Sequence, residues 1–196
     1  MTGRATTPHV GVLALQGDFR EHQQSLERLE VETRQIRRPT DLNGVTALVL
    51  PGGESTTIGR LATLYGMIDP LREAIRGGLP TLGTCAGLIF LAAEVVKDGP
   101  PLLEVLDVVV ERNAFGRQNE SFENLVDVEG LDTPIVGVFI RAPRVVGVGP
   151  DVRVLATHAE QIVMVRQGNV LAAAFHPELT DDLRIHEMLL SMREEN

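Results

Sequence analysis

The sequence predicts an α/β fold: one three-layer domain whose mixed, mostly parallel sheet carries helices on both faces. Strand-like and helical periods alternate through the first half of the chain, the pattern of strand–helix–strand units. Three of the strands there, at 10–15, 47–50 and 80–83, are short and mostly apolar, as strands covered on both faces must be. The second half turns to short strand-like runs, two of them joined at Gln167-Gly168-Asn169 as a hairpin, which introduces antiparallel pairing. A length of 196 residues suits a single domain with a real core.

Residues 10–15 form an apolar, β-branched run that ends at Gln16-Gly17, the expected first strand. Asp18 offers an N-cap to a helix through Glu30, with Phe19, Leu26 and Leu29 on one face and charges on the other. Residues 31–36 and 47–50 are the next strands, the latter closed by Pro51-Gly52-Gly53. Helical spacing returns over 55–65, stopped by Gly66, and again over 69–76. A buried strand is expected at 80–83 and the helix after it at 85–95. Further strands are expected at 105–110, 124–128, 135–140, 152–156, 162–166 and 170–175, before an amphipathic helix over 181–192. Residues 1–8 are expected as a disordered polar tail, leaving 9–196 as the domain.

Composition narrows the function. Aromatics make up 4% of the chain and Trp is absent, so the core must be built from Val, Leu, Ile and Ala. A net charge of −9 and a pI of about 5.0 disfavour non-specific binding to nucleic acid or an anionic membrane. Cys85 stands alone, which excludes an internal disulfide and a Cys-rich metal site. The start of the chain lacks the apolar core of a signal peptide, and no run reaches the ~20 apolar residues of a membrane span. The reading is of a soluble cytoplasmic protein that needs no metal or organic cofactor.

Three segments carry chemistry. In Thr81-Leu82-Gly83-Thr84-Cys85-Ala86-Gly87 a buried strand ends, one nucleophile sits at the turn, and a helix begins. Flanking glycines allow so sharp a turn, and a helix N-terminus with a nearby imidazole lowers a thiol pKa from its usual ~8.5. Phe175-His176-Pro177-Glu178 places a histidine at the end of a buried strand, where open α/β sheets put their sites, with a carboxylate two residues on to hold the ring. Leu50-Pro51-Gly52-Gly53-Glu54-Ser55 is a second strand–glycine turn–helix, whose backbone N–H groups suit an oxyanion. Each segment alone has a bland alternative: a core cysteine, a strand-end histidine, a tight connection. Their combination favours a Cys85–His176–Glu178 triad.

That combination resembles the class I glutamine amidotransferases. More narrowly, Gly11–Gly17 with Arg20-Glu21-His22, and residues 112–118 (RNAFGRQ), are similar to the glutaminase subunits of pyridoxal 5′-phosphate synthases. The likeness runs from Val10 to the last helix and meets no departure at a catalytic position. It implies a class I amidotransferase-like fold, with Cys85 as nucleophile, His176 as general base and acid, and Glu178 as its orienting carboxylate. It implies oxyanion donors at Gly53 and Ala86, and glutamine contacts at Gly53, Glu54, Ser55, Arg112, Ile140 and Arg141. By spacing alone those charges would be solvated surface groups; a guanidinium does, however, suit glutamine's α-carboxylate and a carboxylate its ammonium. Gln16 and His22 are expected to face a partner. His9, His158 and His186 have no motif context and are expected at the surface or as caps, and the polar loop at 117–121 is expected to be exposed.

The glutaminase fold would use essentially the whole chain, leaving no domain to accept ammonia. The implied partner is a separate synthase subunit that builds pyridoxal 5′-phosphate, with the glutaminase weak until that subunit binds. Rivals are the glutaminase of another amidotransferase, such as imidazole glycerol phosphate synthase, a cysteine peptidase on a related fold, and a catalytically silent binding module.

Overall fold

The computed structural model describes residues 9–97, 99–112 and 121–193. The expected tail at 1–8, residues 113–118 of the RNAFGRQ segment and residues 117–120 of the expected loop lie outside them. Strands β1 (His9–Leu13), β2 (Glu32–Ile36), β3 (Ala47–Leu50) and β4 (Thr81–Thr84) fall where the sequence predicts strands. Val10, Val12 and the whole of β3 are buried, because helices cover both sides of this part of the sheet.

The main sheet has the order β2-β1-β3-β4-β12-β11-β9-β6-β5, with β10 paired to β11. Here β5 is Ala92–Val95, β6 Leu106–Glu111, β9 Arg144–Val148, β10 Arg153–His158, β11 Gln161–Gln167 and β12 Val170–Ala173. β1 to β4 and β12 are mutually parallel, whereas β11 runs antiparallel to β9, β10 and β12. The β11–β12 hairpin turns at Gly168-Asn169, with Gln167 opposite Val170. A separate two-stranded sheet pairs β7 (Phe122–Val126) with β8 (Ile135–Phe139).

Alternation along β4 assigns the helices to their layers. A Cβ on Gly83 would point into α4 (Ala86–Leu91), 2.4 Å from Leu91 Cδ1. Thr84 points the other way, with its hydroxyl 3.0 Å from His22 of α1 (Phe19–Arg28). α5 (Arg184–Ser191) joins α1 on that face through His186, while α2 (Ser55–Leu64) packs on α4 across the sheet. α3 (Ile68–Arg76) is tied to the chain after α4 by Arg72, which donates to the carbonyls of Leu102 and Leu103.

Two expectations need correction. The helix expected over 85–95 stops at Leu91, and Ala92–Val95 is β5, paired in parallel with β6. The run LIFLAAEVV is apolar but for Glu94, so periodicity cannot tell helix from buried strand, and pairing with β6 decides. β9 was not expected: Gly147, Gly149 and Pro150 make its segment look like turn, yet it bridges β11 and β6.

The order β2-β1-β3-β4 reverses direction between β1 and β3. Chains leaving a parallel sheet on opposite sides of such a point open a crevice at the strands' C-terminal ends. Gln16, Gly52-Gly53, Cys85 and His176 follow β1, β3, β4 and β12 and therefore meet at one edge.

Candidate active site

Cys85 alone forms the turn between β4 and α4, with φ 48° and ψ −101°. Such a conformation costs an L-residue about 1–3 kcal/mol. It is held from both sides: the Cys85 N–H donates to Ala173 O of β12 at 2.8 Å, and its carbonyl accepts from Ile89 N at 3.3 Å. The turn also brings α4 hard against β3, and a Cβ on Gly87 would lie 2.0 Å from Leu50 O. Glycine at 87 is thus a condition of the sharp elbow. The Cys85 thiol is 7% exposed and donates towards Ile140 O at 3.9 Å.

His176 leaves the end of β12 with its N–H bonded to Val138 O of β8 at 2.9 Å. Its Nδ1 lies 2.7 Å from Glu178 Oε1, in the 3-10 turn Pro177–Leu179. An ionised carboxylate can only accept, so Nδ1 carries the hydrogen and Nε2 is left for the thiol. Pro177 fixes the backbone between the two side chains, and both are nearly excluded from solvent. A Cβ on Gly52 would fall 2.4 Å from His176 Cε1, so the ring rests on the glycine turn where no other residue fits. Asp18 Oδ2 stands 3.6 Å from the same Nδ1.

Burial is the largest single influence on His176 and pulls its pKa down. Hydrogen bonding and charge attraction from Cys85 and Glu178 outweigh it, raising the imidazole from 6.5 to about 10. Burial also raises Glu178, opposed by His176, and raises Asp18, again opposed by His176. Both members of the His176–Glu178 pair are thus pushed towards protonation. The imidazole keeps the proton, because Cys85 and Glu178 both stabilise its charge, while His176 and the Glu178 backbone N–H stabilise that of the carboxylate.

A cleft of about 370 Å³ opens over this pair and is lined by Gln16, Gly53, Glu54, Ser55, Cys85, Ala86, Arg112, Ile140, Arg141 and His176. The structure therefore brings together every residue expected to touch substrate. A groove of about 450 Å³ behind Glu178 involves neither Cys85 nor His176, so its larger volume carries no chemistry. Within the cleft, the Arg112 guanidinium lies 3.5 Å from Thr56 Oγ1, and Arg141 is exposed with φ 45°. Glu54 proves to be the N-cap of α2: its carboxylate accepts from Thr56 N at 3.0 Å and from Thr57 N and Oγ1, each at 2.7 Å. Burial opposes them, but these bonds bring its pKa to about 2. Gln16 Oε1 accepts from Glu54 N at 2.6 Å, clamping the glycine turn from β1.

His22, expected to face a partner, is fully buried and cannot form part of a docking surface in this arrangement. It lies between Thr84, Glu178 and His186. His186, expected at the surface, is equally buried, because the apolar stripe of α5 turns it inward with Ile185 and Leu189. His158 lies against Phe122 and Phe139, with its ring 5.8 and 5.6 Å from theirs, and His9 pairs with Glu32 at 3.1 Å. Asp18 makes no side-chain cap to α1 and turns to His176 instead. Sequence reasoning missed Asp18 and Thr84 at the site. Their only signal was position, one just after the first strand and the other beside the elbow.

The fold and the geometry of this cleft are those of a glutamine amidotransferase. The model of the SNO glutamine amidotransferase family matches residues 12–195. The chain is 54% identical over 189 residues to the pyridoxal 5′-phosphate synthase subunit PdxT of Streptomyces avermitilis, covering 95% of this chain and 94% of that protein. It is 56% identical over 182 residues to the protein of the same name from Pelotomaculum thermopropionicum, covering 92% and 93%. A crystal structure of a glutamine amidotransferase superposes with a TM-score of 0.91 at 53% identity, over 94% of this chain and 98% of that one. The chain belongs to the SNO glutamine amidotransferase family and is a glutaminase.

Proposed function

We propose that this chain hydrolyses L-glutamine through Cys85, His176 and Glu178 and delivers the ammonia to the synthase subunit of a pyridoxal 5′-phosphate synthase. The observation that carries the catalytic reading is one imidazole, His176, bonded to Glu178 at Nδ1 and sharing a single cleft with Cys85 at the elbow. The raised imidazole pKa holds a positive charge on His176 beside Cys85, whose nucleophilic form is the thiolate.

The Cys85 thiolate attacks the side-chain carbonyl carbon of glutamine, and the carbonyl oxygen takes the negative charge. The N–H of Gly53 and that of Ala86 at the start of α4, which has no partner within its helix, stabilise this oxyanion. His176 gives its Nε2 proton to the leaving nitrogen and ammonia departs, leaving a thioester on Cys85. His176 then takes a proton from water, hydroxide adds to the thioester, and glutamate is released with the thiolate regenerated. Arg112 or Arg141 pairs with the α-carboxylate of glutamine, while Ser55 and Ile140 shape the cleft floor. Glu54, with its carboxylate committed to the α2 cap, acts chiefly by fixing the Gly53 turn.

Free ammonia is protonated in neutral water and no longer nucleophilic, so a docked acceptor is required. The names of the relatives in S. avermitilis and P. thermopropionicum support a pyridoxal 5′-phosphate synthase over imidazole glycerol phosphate synthase. The lone free thiol suits a reducing cytoplasm, and among the described residues no helix is long and apolar enough to cross a membrane. Glutamine hydrolysis measured with and without each candidate synthase subunit tests the pairing: stimulation by the pyridoxal 5′-phosphate synthase subunit is expected, and stimulation by the other alone would overturn it. Cys85→Ala should abolish hydrolysis in the same assay while leaving complex formation intact, and persistent turnover would remove Cys85 from the mechanism.

A further inference from the structure

Behind Glu178 the polar chain continues into the interior. Glu178 spends Oε1 on His176, and its Oε2 is a buried atom without a hydrogen bond. The polar group facing Oε2 is His22 Nε2, at 3.3 Å, with both side chains fully buried. The same Nε2 lies 3.0 Å from Thr84 Oγ1, the residue before the nucleophile, and His22 Nδ1 lies 2.9 Å from His186 Nε2.

The tautomers follow from the acceptors. A lone pair on His22 Nε2 would face a carboxylate oxygen across 3.3 Å with no proton between them. Nε2 therefore carries the hydrogen, and Nδ1 accepts from His186 Nε2–H. His186 Nδ1 is then a bare lone pair, in agreement with its place among the buried atoms that have no hydrogen bond. A doubly protonated ring is disfavoured at either position by burial, which depresses both histidines.

We infer that His22, held in its Nε2–H form by His186, is a positioning residue that fixes the free oxygen of Glu178 and so sets the orientation and proton affinity of His176. This rests on the proposed role of Glu178. The groups facing His22 are Glu178, His186 and Thr84, with His176 one step further on and Asp18 against its ring. Losing the polar N–H edge that lies 3.3 Å from Oε2 lets the Glu178 carboxylate rotate and protonate at higher pH, which weakens its hold on the imidazolium.

Gln and Asn at position 22 separate this role from packing, because a Gln amide nitrogen reaches the place of Nε2 and an Asn amide only that of Nδ1. The full-length chain with its synthase subunit is assayed as wild type, His22→Gln, His22→Asn, Glu178→Gln and the double variant His22→Asn/Glu178→Gln. His22→Asn is expected to lower kcat about tenfold or more, the worth of a hydrogen bond to a charged group, with KM within about twofold. It is also expected to raise the acidic limb of the kcat/KM profile by about one pH unit, while His22→Gln restores most of both. In the Glu178→Gln background, His22→Asn should cost little more. Equal losses in His22→Gln and His22→Asn, an unmoved acidic limb, or full multiplicativity with Glu178→Gln would overturn the inference. If Glu178→Gln itself is fully active, the triad reading fails instead, so the two failures are distinguishable. His186→Leu, which leaves His22 Nδ1 without its donor, repeats the test from the far side should His22→Asn not fold.

Discussion

At the residue scale the site is a contest over one imidazole. Burial alone would leave His176 neutral, and the contributions of Cys85 and Glu178 reverse that outcome, to a pKa of about 10. Replacing Cys85 with Ala removes the partner that raises it most. The His176 ring, followed by NMR, should then titrate well below its wild-type value, and an unchanged titration would mean the thiol is no partner of this ring. The sequence presented Cys85, His176 and Glu178 legibly, because each sits beside a strand end with turn residues around it. It could not present His22 and His186, which are 164 positions apart and meet only because α1 and α5 share a face. Glu54 has a capping role that the sequence did not single out, for a related reason. A carboxylate in front of a helix reads as easily for a ligand as for a cap, and only the bonds to Thr56 and Thr57 separate the two.

At the element scale two glycines do different work, and substitution should separate them. Gly87 lets α4 lie on β3, so Gly87→Ala should act on stability, at about 1–3 kcal/mol of overpacking, read from chemical denaturation. Gly52 underlies the His176 ring, so Gly52→Ala should push the ring aside. It is expected to lower kcat by about a hundredfold with a smaller change in stability. Equal effects of both changes on both measures would refute that division. The strands β1 and β3 were legible because short apolar runs closed by glycine and proline turns have few other uses. The division of 85–95 into α4 and β5 was not, since a run whose one charge is Glu94 shows no clear period and β6, its partner, comes later in the chain.

At the scale of the whole molecule, buried histidines make stability depend on pH in two opposite senses. His22 and His186 are held neutral by burial, with His186 lowered from 6.5 to about 4. Below pH 6.5 the unfolded chain binds protons that the folded one refuses, so stability falls as the pH drops from about 6.5 towards 4. The His186 share is on the order of 3 kcal/mol. His176 is raised instead: its contribution is complete below 6.5 and is lost as the pH climbs through about 10. Urea denaturation across pH should therefore show a maximum between these limits, and His186→Gln should flatten the acid side. An acid slope unaltered by that substitution would assign it to other groups.

The sequence by itself determined the fold class, the order of the parallel strands' turns and the identity of the cysteine, histidine and glutamate at the cleft. These depend on local patterns: apolar runs, glycine turns and the residues next to them. Tertiary structure alone decided which face each helix covers, that Asp18 and Gln16 reach the site from β1, and that two histidines stand behind Glu178. Those relations are set by sheet order and by the alternation of side chains across β4, and a linear pattern carries neither.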